Sequence, residues 1–323
     1  MTLTQMTRRP WTSDPPPLSD PDAFRSAVLS PLRYPGAKRQ LLPFIRALAD
    51  AEVYPVDLLV EPFCGGASIS LALLGGGVAR QGILADADPL VAAFWHAAAF
   101  DTDRLLAAVD EQPVTLERWD YWRDANPTDT LEQAVKCLFL NRTSFSGVLH
   151  GSAGPIGGRS QAGRYKVDCR FGRPGLERRL SLVGELGTTT RILDVWDTAW
   201  QETLKRLESD FLCPTDRVLV YLDPPYIKQS DRLYGIDFGP DAHRELAAFL
   251  TGSRLPYQWV LSYDDAPLIR ELYGAAPGLV RYETDHTYTT AGARKVSKQR
   301  TELLITNIDD VALDLPTWEA GVS

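Results

Sequence analysis

Apolar positions along the chain fall into two rhythms. Dense aliphatic runs stop abruptly on acidic or turn-forming residues: Asp57–Val60 before Glu61, Gly82–Ala85 before Asp86, Val218–Leu222 before Asp223, and Trp259–Tyr263 before Asp264. These read as strands, and Val218–Leu222 has the β-branched character of a buried parallel one. Between them lie stretches spaced as helices: Arg39–Ile45, Ile69–Leu74, Leu90–Phe100, Thr198–Leu207 and Ala242–Leu250. Arg191–Trp196 returns to the strand pattern, and Val280–Tyr288 with Glu302–Ile308 predicts a closing hairpin. Strands alternating with helices predict an open α/β sheet of the Rossmann-like kind.

The rhythm changes at about Asp101. Leu105–Val109 and Leu131–Leu140 look helical, with Trp119 and Trp122 between them, and a glycine-rich run then extends to Gly163. Long loops of that kind are uncommon in compact domains unless they serve a function. The expected organisation is therefore a loose N-terminal arm over 1–30 and a core domain over 31–100 and 186–310. A mainly helical insertion spans 101–185, and an acidic tail spans 311–323. Pro10, Pro15, Pro16, Pro17 and Pro21 underlie the expectation for the arm, because proline forbids regular helix there.

Composition narrows the class. The 323 residues carry a formal net charge of −8 and 44% hydrophobic residues, the balance of an ordinary globular protein. No apolar run is long enough to span a bilayer, and the N-terminus lacks a secretory layout. The cysteines at 64, 137, 169 and 213 are widely spaced, so neither a metal site nor a disulfide is expected, and a cytoplasmic location is. Charge is unevenly spread. Between Pro155 and Leu182, Arg159, Arg164, Lys166, Arg170, Arg173, Arg178 and Arg179 face only Asp168 and Glu177, a local net of +5. A run of that sign suits phosphates, because binding follows the local field.

Candidate chemistry gathers at the strand ends, where ligands sit in open α/β sheets. Asp223-Pro224-Pro225-Tyr226 supplies a carboxylate, stiff backbone carbonyls and an aromatic face. Such a carboxylate and carbonyl can accept the two N–H bonds of an exocyclic amine. Tyr34-Pro35-Gly36-Ala37-Lys38 precedes a helix and forms a small anion cradle. Phe63-Cys64-Gly65-Gly66-Ala67 is a glycine turn between strand and helix. Asp86 and Asp88 close the next strand, where an acid would hold a ribose hydroxyl pair.

These motifs, in this order over roughly Leu32 to Asn307, resemble the Dam-like (D12 class) DNA adenine-N6 methyltransferases. The resemblance implies a Rossmann-like methyltransferase fold with a target-recognition insertion, double-stranded DNA as substrate, and S-adenosyl-L-methionine as methyl donor. It implies that Asp223, Pro224, Pro225 and Tyr226 are catalytic. Tyr34, Lys38, Phe63, Gly65, Asp86 and Asp223 would hold the cofactor. Ala37 and Ala67 stand where the family often has glycine. The family's Asn-Arg-x-x-Phe/Tyr-x-Gly stretch corresponds to Asn141, Arg142, Phe145 and Gly147. It points to DNA contact by Asn141, Arg142 and Phe145, with Arg164 and Lys166 beside them. The target base must leave the duplex. A restriction or defence-system partner belongs to the same expectation. Cytosine-N4 or RNA amino-methylation, and a non-catalytic DNA-binding regulator, are the alternatives that the residues leave open.

Overall fold

The computed structural model describes residues 14–25, 29–33, 38–52, 56–151, 153–211, 217–227, 238–252, 254–289, 297–309, 313 and 315–318. Its frame is a seven-stranded sheet of order β3-β2-β1-β4-β5-β7-β6. The strands are β1 (Val56–Glu61), β2 (Ala79–Asp86), β3 (Ile192–Asp197), β4 (Val218–Leu222), β5 (Gln258–Asp264), β6 (Val280–Thr289) and β7 (Ser297–Thr306). β1 to β5 run parallel, with Leu59 opposite Gly82 on one side and Leu219 on the other. β7 pairs antiparallel with β5 and with β6. The strand order reverses between β1 and β4, the switch point at which α/β sheets open a ligand crevice.

Each central strand is buried on both sides, and its residues alternate between two apolar layers. Leu59, Leu84, Leu219, Tyr221, Val260 and Leu304 belong to one layer, whereas Leu58, Val60, Ile83, Ala85, Val218, Val220, Leu222 and Leu261 belong to the other. Extending that parity puts Glu61, Asp86, Asp223, Ser262 and Glu302 on the face of the first layer. β7 runs against β5, so its Glu302 pairs with Asp264 at the carboxyl end of β5.

Eleven α-helices are described in chain order: α1 (Pro21–Arg25), α2 (Leu42–Glu52), α3 (Ser68–Gly75), α4 (Pro89–Phe100), α5 (Thr102–Asp110), α6 (Leu116–Asp124), α7 (Thr130–Thr143), α8 (Arg173–Thr188), α9 (Trp200–Arg206), α10 (Pro240–Gly252) and α11 (Pro267–Gly274). None of the described helices is long and apolar enough to cross a membrane. A 3₁₀ turn, Lys38–Leu41, leads into α2. Asp88 caps α4 by accepting a hydrogen bond from the Leu90 N–H at 3.0 Å.

Two expectations need correction. The N-terminal arm is not loose where it is described. Leu18, Phe24 and Leu29 are buried in the first apolar layer, and Phe24 lies flat on Gly75, where a Cβ would collide with its ring. The prolines excluded long helix but left apolar anchors between them. The helical segment after Asp101 is an insertion in the chain but not a separate body. Leu105, Trp119, Trp122, Leu138, Leu176 and Leu180 share one apolar cluster with Leu59, Leu84 and Leu219 of the sheet. The sequence reading also missed α6, α8 and α11. α6 carries the two tryptophans, and basic residues mask the apolar stripe Leu176-Leu180-Val183 of α8.

α8 crosses α4 so closely that a Cβ on Gly187 would overlap the Ala99 carbonyl. Glycine to alanine inside a helix ordinarily gains about 1 kcal/mol. Here Gly187→Ala is expected to cost about 1–3 kcal/mol instead, as overpacking does. A lowered urea midpoint checks this.

Candidate active site

The carboxyl ends of β1, β2 and β4 and the middle of β7 bring their acids to one place. Lys38, at the start of the 3₁₀ turn, is brought in over them and is 2% exposed. Its Nζ lies 3.4 Å from Asp223 Oδ1 and 3.3 Å from Glu302 Oε1. It also sits 4.4 Å from the centre of the Tyr226 ring. The Tyr226 hydroxyl donates to Glu302 Oε1 at 3.2 Å. The Ser262 hydroxyl donates to Asp223 Oδ1 at 3.0 Å and stands 2.9 Å from the Tyr221 hydroxyl. Asp223 is therefore held from both sides, by a cation and by a buried hydroxyl pair, while its side chain keeps 24% exposure.

The neighbouring strand end is built around Asp86. Its Oδ2 accepts from the Gly65 N–H at 2.8 Å, and its Oδ1 accepts from the Asp88 N–H at 3.0 Å. Gly65 and Ala67 both take left-handed backbone, φ 41° and 45°. That conformation suits glycine and strains alanine. The Trp95 indole N–H pins the Gly65 carbonyl at 2.7 Å. Phe63 meets Phe238 edge-on at 5.6 Å between ring centres. His150 Nε2 stands 2.7 Å from Asp88 Oδ2, so the cap of α4 is also tied to the end of the glycine-rich stretch.

Burial pushes the Asp223 carboxyl up to about 6; Lys38 pulls it down and the charge of Glu302 pushes it further up. Asp86 is pushed up to about 7, mainly by burial, with the Asp88 and Gly65 N–H groups opposing the rise. Glu61 is pushed up to about 8, again mainly by burial. The Ser70 hydroxyl donates to Glu61, while the charges of Asp223 and Asp86 add to its rise. Among the described residues, Asp223 and Glu302 are the two carboxylates that Lys38 pairs with, whereas Glu61 and Asp86 are pushed toward their neutral forms. Among the described residues no group of three or more His, Cys, Asp or Glu side chains is arranged to hold a metal ion.

The profile of the D12 class N6 adenine-specific DNA methyltransferases matches residues 34–153 and 206–290. The chain belongs to this family. No curated protein matches it. Among solved structures, the "putative RNA methyltransferase" of Pyrococcus horikoshii is similar at 14% identity, over 90% of this chain and 91% of that one, with a TM-score of 0.34. A likeness of that size carries no argument about the substrate.

Of the residues singled out from the sequence of this family member, Phe63, Gly65, Asp86, Asp223, Pro224, Pro225 and Tyr226 fall at the carboxyl edge of the sheet or on the turns that follow it, and Lys38 reaches Asp223 and Glu302 from the 3₁₀ turn before α2. Tyr34 and Ala37 lie outside the described residues, as does most of the loop after Ile227. Asn141 and Arg142 do not fit the role of base readers. Asn141 is fully buried: its Oδ1 accepts from the Arg33 N–H at 2.6 Å, and its Nδ2 donates to the Arg33 and Gly147 carbonyls, both at 3.0 Å. Arg142 is 6% exposed and donates to the Pro31 carbonyl. α7 runs on to Thr143, which turns both side chains inward. Phe145 is 69% exposed on the turn that Asn141 braces, and Tyr165 is 55% exposed. Arg164 and Lys166 are exposed, and Lys166 donates to the Gln161 carbonyl. Glu302 and Ser262 went unnoticed in the sequence. The only signal was a buried-type run, Leu303–Ile305, opening on an acid.

Acids whose carboxyls hold protons more tightly folded than unfolded make the folded state bind more protons, so stability falls as pH rises across the gap. Asp223, Asp86 and Glu61 are all raised, to about 6, 7 and 8. The melting temperature of the ligand-free protein is therefore expected to fall between about pH 4 and pH 8. Glu61→Gln should flatten the upper part of that slope in a thermal melt series.

Proposed function

We propose that this protein transfers a methyl group from S-adenosyl-L-methionine to N6 of adenine in double-stranded DNA, with the target base turned out of the helix. The observation that carries the reading is the Lys38–Asp223–Tyr226–Glu302 cluster at the switch point, within a chain of the adenine-N6 family.

The residues present suit the methyl donor. The Lys38 ammonium is buried at ion-pair distance from two carboxylates, with no hydrogen bond of good geometry among the described residues, and so fits the donor's carboxylate. Asp86 stands where ribose hydroxyls are held, on a backbone turn that lets a ligand approach closely. Among the described residues, two carboxylates face the one ammonium of Lys38, which suits a positively charged sulfur. When bound, the donor supplies an electrophilic methyl on a sulfonium.

The chain's own residues handle the amine. An adenine amino lone pair is spread into the ring, so the nitrogen is a weak nucleophile. Ionised Asp223 and the Pro224 carbonyl would accept its two N–H bonds and favour a pyramidal nitrogen. Consecutive prolines hold that carbonyl still, because each fixes φ. Lys38 lies over the Tyr226 ring, and because that residue is only 7% exposed, the base would stack on it by displacing part of its present cover. Asp223 is also the base nearest the nitrogen for the proton that must leave. Positioning of two reactants is the main contribution. Extruding the base costs a few kcal/mol, offset by stacking and by contacts to the backbone.

Asp223→Ala is expected to lose on the order of 10²–10⁴-fold in methyl transfer. Binding of S-adenosyl-L-methionine should survive, as read by tritiated methyl incorporation beside calorimetry. Wild-type protein that labels neither DNA nor RNA would end the proposal, and label on cytosine alone would move it to N4 chemistry.

The acid limb of the pH–rate profile is expected near pH 6, because Asp223 must be ionised to accept the amine. Glu302→Gln removes the charge that pushes Asp223 up, so the limb should move to lower pH. Lys38→Met removes the cation that holds Asp223 down and should move it higher.

A further inference from the structure

Arg33, Arg142, Arg170 and Arg179 form a cluster of cations that the methyl-transfer site does not use. Arg142 is its floor. The charges that bear on its guanidinium are those of Arg179, Arg33 and Arg170, and burial together with them pushes its pKa down to about 9. Arg33 is likewise lowered, by burial and by Arg170. No acidic group is among the causes at Arg142, and the undescribed stretches flanking Arg33 in sequence, 26–28 and 34–37, contain no acid. Arg33 Nη1, Arg142 Nε and Arg179 Nε are buried without a hydrogen-bond partner among the described residues.

Arg142 donates to the Pro31 carbonyl, but a protein interior does not ordinarily gather guanidiniums without an opposite charge. A buried charge lacking a partner is strongly destabilising, and each unsatisfied N–H adds its own desolvation cost. The cluster is open on one side, since Arg170 is exposed and Arg33 and Arg179 are half-buried. An oxyanion settling there would supply both the missing charge and the acceptors, and guanidinium forks match the oxygens of a phosphate.

The cluster's place says which phosphate. The Arg33 backbone is clamped by Asn141, whose amide also holds the Gly147 carbonyl behind the exposed Phe145. Five residues further along the chain, Lys38 enters the acidic site. We propose that Arg33, Arg142, Arg170 and Arg179 form a cradle for one phosphodiester of the DNA strand that carries the target base. The inference rests on the DNA-methylation reading and deepens it. Arg142 lies within the residues that the family profile matches, and Arg33, Arg170 and Arg179 lie outside them.

The test compares full-length wild type, Arg170→Gln, the Arg170→Gln/Arg179→Gln pair, and Arg254→Gln. Arg254 is an exposed cation just before the amino end of β5, at the opposite edge of the sheet. Binding of a fluorescein-labelled duplex is followed by anisotropy over a salt series. Loss of one phosphate contact lowers the magnitude of the log–log salt slope by about 1 and weakens binding about tenfold near 0.1 M salt. The paired variant is expected to show that change equally on duplexes of different sequence, Arg170→Gln to show part of it, and Arg254→Gln none. An unchanged slope in the paired variant overturns the cradle, and so does a loss confined to one sequence, which marks a base contact. A thermal shift with inorganic phosphate that the pair abolishes, with DNA binding unaltered, also overturns it in favour of a free-anion site. Wild type that binds duplex with the full slope, yet methylates no nucleic acid, would remove the enzymatic reading and leave the cradle standing.

Discussion

The buried ammonium of Lys38 is the interaction on which the site depends. It touches Asp223 from β4, Glu302 from β7 and the ring of Tyr226, three elements distant in sequence. Without a cation there, two carboxylates would face each other in a poorly solvated space and one of them would take a proton. With it, Asp223 can stay ionised near neutral pH despite its burial. The same contact fastens the 3₁₀ turn before α2 onto the open end of the sheet, so the electrostatics and the shape of the site arise together.

Strand parity explains why the acids meet. Successive residues on a strand point to opposite faces, and both faces here are covered. Leu59 and Leu219 fix which face belongs to which layer, and the acids at Glu61 and Asp223 follow two by two. A register slip of one residue in β4 would send Asp223 to the wrong side and leave Lys38 facing an apolar layer. The helical insertion has no core of its own. It leans on α4 and on the sheet, which holds Asn141 and its braced turn at a set distance from the acids.

The net charge of −8 conceals two opposite fields. At the sheet edge, among the described residues, Asp223 and Glu302 face the single ammonium of Lys38. At the end of α7, the charges that bear on Arg142 are those of other arginines. A site of the first kind suits a positively charged methyl donor, and a surface of the second kind suits phosphates. Their separation would let both reactants bind without competing for the same charges.

Much of the frame was legible beforehand. Runs of aliphatic residues ending in Asp or Glu located β1, β2, β4 and β5, because strands buried on both faces leave an unambiguous apolar signal and must release their polar residues at the ends. Asp223-Pro224-Pro225-Tyr226 and Asp86 were conspicuous for the same reason. α6 and α8 were not, since tryptophans and arginines spread through them blur the helical period. The tertiary structure alone decided three things: that Glu302 and Ser262 join Asp223, that Asn141 is a brace and not a reader of bases, and that part of the proline-rich arm is packed. Each depends on strand pairing or helix crossing between residues far apart in the chain. A linear pattern records which residues are apolar, but not which distant neighbour each will meet.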